Sequence, residues 1–310
     1  MIAVSACLTG AEVRFDGGHK RSSLPHDKLA GLFEWRTICP EVGIGMGVPR
    51  DPIRLVGEPA APRARGIKDP DVDVTDALQG YAQQVLPSLA DVSGYVFIKN
   101  SPTCGLFRVK VYGREGVPPA SSGRGIFAAA IVAARPELPV EESGRLEDAV
   151  LRENFVTRTF AFAHWQRCAT AGLTAARLIA FHSAYKYLLM AHSVTRYREA
   201  GRLLADLSSD LPGRANAYIR LLMAGLAKPA TRGGHANVLQ HLQGYVKDAL
   251  DGATRRELAH AIDSYRRGEL PLLAPVTLLR HHLRRFPDAY ALEQIYLEPH
   301  PPAAGLRREL

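Results

Sequence analysis

Residues 94–105 read Gly-Tyr-Val-Phe-Ile-Lys-Asn-Ser-Pro-Thr-Cys-Gly, and this stretch carries the strongest indication of the architecture. Residues 94–98 are apolar and rich in β-branched and aromatic side chains, a composition that favours a buried strand. The turn that follows places Cys104 just beyond the carboxyl end of that strand. In open α/β sheets this edge is where ligands bind, because helices cover both faces of the sheet.

Two further cysteines are placed in the same way after short apolar runs. Residues 2–5 lead into Cys7, and residues 37–38 lead into Cys39. We therefore expect three thiols to meet at one edge of a sheet. Three thiolates can hold three irons of a cubane cluster and leave the fourth iron open, which is the arrangement of a catalytic site. The alternative is that all three cysteines are small buried hydrophobic residues.

The fourth cysteine, Cys168, lies in a helical run beside Trp165. We interpret it as a packing residue of a separate domain. As a fourth protein ligand it would close the cluster, and the prediction would then move towards electron transfer or a structural role.

Two polar residues beside the cysteines are candidates for catalysis. Glu41 is two residues from Cys39, so its carboxylate would lie close to a metal bound there and could position a water or transfer a proton. Ser101 is in the Cys104 turn and could donate a hydrogen bond to a substrate. The alternatives are a solvated loop carboxylate for Glu41 and a turn-satisfying hydroxyl for Ser101.

A third candidate site is the stretch 121–125, Ser-Ser-Gly-Arg-Gly, which precedes an apolar helix over residues 126–134. We interpret it as a loop in which Ser121, Ser122 and Gly123 hold an anionic part of the substrate at the helix start. The motif is weak, since it lacks the Gly-Lys-Ser/Thr ending of a P-loop. It also differs from the Ser-Gly-Gly-x-Asp-Ser loop of enzymes that adenylate RNA before inserting sulfur, which disfavours sulfur insertion.

The order of elements predicts an α/β domain with a mainly parallel, Rossmann-like sheet, followed by an all-α domain. We place the domains at residues 1–143 and 144–310. Within the first we expect short helices over 28–34 and 75–86, a strand over 108–112, an exposed loop over 50–68 and a linker over 136–144. Helical periodicity predicts the second domain's helices at 145–168, 174–192, 197–207, 215–227, 236–250, 253–267 and 276–286, with a mobile tail over 299–310.

Composition and charge limit the class of protein. The 310 residues are 46% hydrophobic and 23% charged, and no membrane span or signal peptide is visible. We therefore expect a cytoplasmic protein, in which four cysteines favour metal binding, catalysis or burial over disulfides. Of the net charge of +8, residues 146–310 contribute +7, from 22 basic and 15 acidic side chains. This basic half favours phosphate-bearing partners such as RNA. A solvated basic surface is the alternative.

One candidate contact in the basic half is a polar patch of His182, Tyr185 and Lys186, which share one helix face by spacing. Such a patch could meet a phosphate. We also consider a homodimer formed through the helical domain.

Three motifs together resemble the thiouracil desulfurase (desulfidase) family. They are Ser-Ala-Cys-Leu-Thr-Gly at 5–10, Cys-Pro-Glu-Val at 39–42 with Gly-Val-Pro-Arg at 47–50, and Asn-Ser-Pro-Thr-Cys-Gly at 100–105. The match covers about residues 1–145 and differs little from the pattern, although Thr103 stands where serine is common. The remainder resembles an all-α domain of unknown function that is often fused behind such domains.

The resemblance implies a [4Fe-4S] cluster held by Cys7, Cys39 and Cys104, with Glu41 and Ser101 as acid/base and substrate-binding residues. It implies a non-redox, hydrolytic desulfuration of a thiolated uracil, with 4-thiouridine monophosphate as the expected substrate. The reading from the residues agrees, because thiolate-bound iron is soft enough to bind sulfur. Two alternatives stay open: a tRNA sulfur-modifying enzyme, and a non-catalytic iron–sulfur sensor that binds nucleic acid.

Overall fold

The computed structural model describes residues 1–113, 118–308 and 310 of the chain. These residues form two compact units, Met1–Glu147 and Asp148–Leu310. The predicted domain boundary between residues 143 and 144 lies a few residues before this division. Within the described residues, no helix combines the length and the apolar character that a membrane span needs.

The first unit is built on a four-stranded parallel sheet with the strand order β2-β1-β5-β8. Its strands are β1 (Ile2–Ser5), β2 (Trp35–Ile38), β5 (Tyr95–Phe97) and β8 (Val140–Glu142). The two central strands, β1 and β5, are buried along their whole length. They read as continuous apolar runs because parallel strands in α/β domains are covered on both faces.

The chain reverses direction across the sheet between β1 and β5. From β1 it moves to β2 on one side, then returns to place β5 and β8 on the other side. In open α/β sheets such a switch point opens a crevice at the carboxyl ends of the strands. The three predicted cysteine positions follow β1, β2 and β5, so all of them lie at this crevice.

A second sheet of mixed direction has the order β4-β3-β6-β7. Its strands are β3 (Ile53–Val56), β4 (Arg63–Gly66), β6 (Val109–Tyr112) and β7 (Ala120–Gly123). The predicted exposed loop over 50–68 is therefore wrong, because it contains the β3–β4 hairpin. Alternate side chains of this hairpin, such as Leu55 and Ala64, are buried in a small core.

Helices α2 (Thr75–Val85) and α3 (Ile126–Ala134) belong to the first unit and lie where the periodicity predicts them. The ring of Phe127 in α3 packs 6.3 Å from Tyr95 of β5 and 6.0 Å from Tyr81 of α2. The short helix predicted over 28–34 is wrong: a single π turn over Leu24–Lys28 is found instead. The predicted linker over 136–144 is also wrong, since it contributes the edge strand β8 to the parallel sheet.

The second unit is helical, and together with the parallel sheet this confirms the predicted fold class. Its helices are α4 (Ala149–Thr170), α5 (Ala175–His192), α6 (Val194–Leu203), α7 (Leu211–Leu226), α8 (Arg232–Gln243), α9 (Gly252–Arg267), α10 (Leu273–Arg285) and α11 (Ala289–Leu292). Several begin where a side chain caps the first turn by accepting a hydrogen bond from a backbone amide three residues on. The capping residues are Asp148, Thr174, Ser193, Asp210, Thr231, Asp251 and Asp288.

The tail was predicted to be mobile over 299–310, but its described residues, 299–308 and 310, belong to the second unit. Arg307 is buried, and its Nε donates to Oε1 of Glu153 in α4 at 3.1 Å. Its guanidinium also donates to the backbone carbonyl of Tyr296 at 2.7 Å. A buried arginine with two acceptors fixes the tail against the helices.

Candidate metal centre

The three cysteines of the first unit line one cavity of about 510 Å³. Cys7 lies in a 3-10 turn (Ala6–Thr9) that continues from β1. Cys39 is the N-cap residue of the four-residue helix α1 (Pro40–Gly43), which follows β2. Cys104 lies in the turn after β5, and both Cys7 and Cys104 are buried. This placement agrees with the prediction that three strand ends bring these thiols to one site.

The Cys104 turn is held by its own serine. The hydroxyl of Ser101 accepts hydrogen bonds from the amides of Thr103 at 3.2 Å and Cys104 at 3.0 Å. Ser101 therefore satisfies the turn, which is the alternative named for it, and it also lines the cavity. Its hydroxyl proton is not used in these two bonds, so it can still donate to a substrate.

The start of α3 clamps the same turn from behind. The amides of Gly125, Ile126 and Ala128 donate to the carbonyls of Gly105, Pro102 and Thr103, respectively. A Cβ atom at Gly125 would lie 2.5 Å from the Thr103 carbonyl, so only glycine permits this approach. The amides at the start of α3 thus bind the Cys104 turn rather than an anion.

The predicted loop at the start of the 121–125 stretch is wrong, because residues 121–123 form a strand instead. Ser121, Ser122 and Gly123 belong to strand β7, and none of them lines the cysteine cavity among the described residues. Ser122 and Gly123 instead line a separate cavity of the first unit. A role for the three residues in binding the substrate stays a prediction.

Glu41 lines the cysteine cavity, and each of its carboxylate oxygens accepts a hydrogen bond from the protein. Its Oε2 accepts from the Arg50 guanidinium, with nitrogen–oxygen distances of 2.8 and 2.6 Å, and its Oε1 accepts from the Thr103 hydroxyl at 2.8 Å. The side chains of Arg50 and Glu41 are only 5% and 15% exposed. Thr103 stands where serine is common in the resembled family, and both residues carry a hydroxyl that can donate in this way.

Arg50 is the residue that sequence reasoning missed. Besides Glu41, its guanidinium donates to the carbonyls of Val13 and Gly47, each at 2.9 Å, and its amide donates to the Phe15 carbonyl at 2.9 Å. It thereby fixes the loop that contributes Val13, Arg14 and Phe15 to the cavity lining. In the sequence, only its position in the Gly-Val-Pro-Arg motif at 47–50 connected Arg50 with the site.

Burial acts on all three thiols, and repulsion from a neighbouring thiol adds to it at Cys7 and Cys104. Burial is the main cause that raises the pKa of Cys7 to about 11, with the charge of Cys39 adding to it. Burial likewise raises the pKa of Cys39, and it raises that of Cys104 well above its ordinary value, with Glu41 and the other two thiols contributing. A cationic metal centre would stabilise three such thiolates together.

The residues present fit an iron–sulfur cluster. Three soft sulfur donors share a cavity large enough for a cubane, and each would bind a different iron. Among the described residues, no three His, Cys, Asp or Glu side chains gather closely enough to bind one single metal ion. The buried Tyr95 hydroxyl has no hydrogen-bond partner there, and its pKa is raised by burial and by the neighbouring Cys104 charge. It is an orphaned donor beside the thiols.

Cations also line the cysteine cavity. Arg14, Lys20 and Lys99 contribute to its walls, and the two lysines are exposed. Arg14 lies 3.5 Å from the Asp16 carboxylate. The cavity therefore combines soft sulfur donors with groups that attract an anion.

Cys168 lies in the second unit, half-buried, in a cavity lined by α4 and α5 residues including His164 and Phe181.

The phosphate patch predicted on α5 is not assembled as a set of three exposed polar side chains. Tyr185 is buried with its hydroxyl 3.1 Å from His164 Nδ1, and Lys186 lies over the rings of Tyr187 and Tyr290. Tyr185 therefore serves packing, and a phosphate contact by His182 and Lys186 stays a prediction.

Comparisons with known proteins agree with the two-unit division. A sequence model described as 2-thiouracil desulfurase matches residues 2–143, and one described as a protein of unknown function, DUF1722, matches residues 186–301. The uncharacterized protein YbgA of Escherichia coli (strain K12) is 39% identical over 165 residues, which cover 53% of this chain and 95% of YbgA. The uncharacterized protein YbbK of Bacillus subtilis (strain 168) is 30% identical over 114 residues, 34% of this chain and 73% of YbbK.

A solved structure also matches the chain. It is that of the [4Fe-4S]-dependent thiouracil desulfidase TudS, with 30% sequence identity and a TM-score of 0.37, covering 47% of this chain and 92% of TudS.

Proposed function

The chain belongs to the 2-thiouracil desulfurase family, and from that premise we propose that it is a [4Fe-4S]-dependent desulfidase that converts 4-thiouridine monophosphate to uridine monophosphate and sulfide. One observation supports this most: Cys7, Cys39 and Cys104 line a single cavity that Glu41 also lines. The reaction exchanges a thiocarbonyl sulfur for a water oxygen. No electron enters or leaves, so no oxidant or reductant is required.

The cluster would be held by the three cysteine thiolates. When bound, the cluster would supply an iron without a protein ligand, a soft Lewis acid that would favour thiocarbonyl sulfur and make sulfide a better leaving group.

Glu41 is proposed to accept the proton of the attacking water. Arg50 and Thr103 hold its two oxygens, which fixes the direction of the carboxylate towards the cavity. Oε2 of Glu41 already faces two nitrogens of Arg50, whereas Oε1 accepts one hydrogen bond from Thr103 and keeps a second lone pair that can receive a water. Ser101 is proposed to donate its hydroxyl proton to the substrate, since its oxygen already accepts from the turn amides.

The cations of the cavity support a phosphate-bearing substrate over a free base. The exposed Lys20 and Lys99 can reach a phosphate while the base lies deeper among the thiols. The basic second unit supports a further contact with the phosphates of a thiolated RNA, and dimerisation through that unit stays a prediction.

The test is anaerobic reconstitution of the full chain, followed by incubation with 4-thiouridine monophosphate. We expect loss of the thiocarbonyl absorbance with release of equivalent sulfide. Cys104→Ala should abolish both, whereas the matched control Cys168→Ala should retain them. A stable cluster without turnover on free base, nucleoside, nucleotide or thiolated RNA would instead indicate a sensor.

The substrate form is tested with Lys99→Gln. We expect KM for the monophosphate to rise about tenfold through loss of one charged contact, with little change for the nucleoside. Equal effects on both substrates would reject phosphate recognition by Lys99.

A further inference from the structure

A second cavity of the first unit, of about 430 Å³, is lined by arginines from three places in the chain. We name it the arginine cavity, and the residues that define it are Arg108, Arg124, Arg145 and Ser122. None of them lines the cysteine cavity among the described residues. Its size is within the range of small-molecule sites.

Two of the arginines are fixed in position by the protein. The Nε of Arg124 donates to the Leu106 carbonyl at 3.1 Å, which orients its guanidinium. The Nε of Arg145 donates to Glu141 at 2.7 Å, and its guanidinium lies 5.0 Å over the Phe107 ring. Arginines whose orientation is set in advance lose less entropy when they bind an anion.

Arg108 is exposed and has a backbone φ of 52°, in the left-handed region that arginine rarely adopts. Such backbone strain is concentrated at functional sites. Neither Arg108 nor Arg124 has a carboxylate partner within the part of the chain that the structure describes. No acidic side chain is among the described residues that line the cavity. Positive charge therefore exceeds negative charge at this place.

We propose that the arginine cavity binds a phosphate group. Planar guanidinium groups pair with phosphate oxygens through two parallel hydrogen bonds, and the exposed Ser122 hydroxyl adds a further donor. The proposal does not depend on the cluster or on desulfidase activity. The phosphate can be free or esterified to a sugar, and the experiment separates these sources.

The arginine cavity is lined in part by residues 106–108, which continue from the Cys104 turn. Residues 106–108 begin two positions after Cys104, and the amides of Leu106 and Phe107 both donate to the buried Glu142 carboxylate of β8, at 2.8 and 3.0 Å. A phosphate bound by Arg108 would therefore act on a segment that is anchored three residues after Cys104. Occupancy of the cavity would stabilise that segment.

The experiment is calorimetric titration of the reconstituted full chain with inorganic phosphate and with ribose 5-phosphate at constant ionic strength. We expect saturable binding that Arg108→Asn weakens about tenfold, because one charge-assisted contact is lost. Asparagine tolerates the left-handed backbone, so folding should be retained, and Arg108→Gly serves as a second variant. Tighter binding of ribose 5-phosphate would identify an ester as the ligand, and equal or tighter binding of inorganic phosphate would identify the free ion.

The matched control is Lys110→Gln, which removes one exposed positive charge of β6 that does not line the cavity. We expect it to change the affinity less than about twofold. The proposal is overturned if neither probe binds, if Lys110→Gln weakens binding as much as Arg108→Asn, or if only Lys99→Gln weakens it. The last result would place the phosphate in the cysteine cavity.

Discussion

Each unit buries a glutamate against an arginine, and the two pairs differ in what lies beside them. Glu41 and Arg50 border a cavity of about 510 Å³. Glu153 and Arg307 lie among packed helices, and the Glu153 carboxylate also accepts from Thr157 and lies 3.5 Å from His300. The same ion pair is thus available to a ligand in one unit and enclosed in the other. We therefore expect a functional role for the first pair and a structural role for the second.

The largest effect should come from breaking the enclosed pair. Glu153→Gln leaves the Arg307 charge buried without a counter-charge, so we expect the second unit to lose about 3–5 kcal/mol of unfolding free energy. Trp165 is in α4 and Trp35 is in β2, so a Trp35→Phe background makes denaturant unfolding by fluorescence report on the second unit. The control Glu199→Gln removes an exposed pair with Arg196 and should cost less than about 1 kcal/mol. Equal losses in the two variants would contradict the comparison.

Breaking the open pair should affect catalysis instead of stability. We expect Glu41→Gln to lower turnover about 10³-fold through loss of the proton acceptor, with the cluster retained. Anaerobic sulfide release measures turnover, and the cluster's visible absorbance measures its retention. Glu12→Gln, an exposed loop change, is the control. If Glu41→Gln unfolds the first unit while Glu12→Gln does not, the open pair is structural as well.

Lowering the pH should cost more unfolding free energy at the enclosed pair, Glu153 and Arg307, than at exposed ion pairs. Burial opposes ionisation of Glu153, but His300 and Arg307 together lower the pKa of its carboxyl from 4.5 to about 2. A carboxyl with a lowered folded-state pKa stabilises the protein above its unfolded pKa, and that stabilisation disappears as the pH falls from about 4.5 to about 2. We expect about 3 kcal/mol to be lost in this window. Unfolding measured against pH should show this loss in the wild type and not in Glu153→Gln.

The smallest effect tests whether the hydrogen bond from Thr103 to the Glu41 carboxylate contributes to turnover. Thr103→Val removes the hydroxyl that donates to Glu41, and we expect turnover to fall about tenfold. Thr103→Ser should restore most of it, because serine provides the same donor. An equal loss in the serine variant would assign the effect to packing of the methyl group, since Thr103 is fully buried.

What sequence reasoning could find was periodic or local. β1 and β5 are mainly apolar and fully buried, and Cys7 and Cys104 lie in the turns that follow them, so their meeting at one edge followed from sheet topology. The β3–β4 hairpin was missed because its proline, arginine and glycine content is typical of loops. β8 was missed because it contains two acidic residues.

The missed residues gain their roles from contacts that no local pattern shows. Glu142 of β8 is buried because two amides of the Cys104 segment bind it. Arg50 acts through a tertiary contact with Glu41 and two backbone carbonyls. Helix starts in the second unit were placed too late where the capping residue precedes the apolar periodicity, as at Asp210 and Thr231.

The contact between Glu153 and Arg307 also sets an order of events during synthesis. The two residues are 154 positions apart, so α4 leaves the ribosome long before the charge that neutralises its buried carboxylate. The first unit has its last strand once residue 142 has emerged, and domains generally fold as units from the amino terminus. A nascent chain stalled before residue 307 would therefore display a completed cysteine cavity beside an unfinished helical unit, exposed to chaperones and proteases.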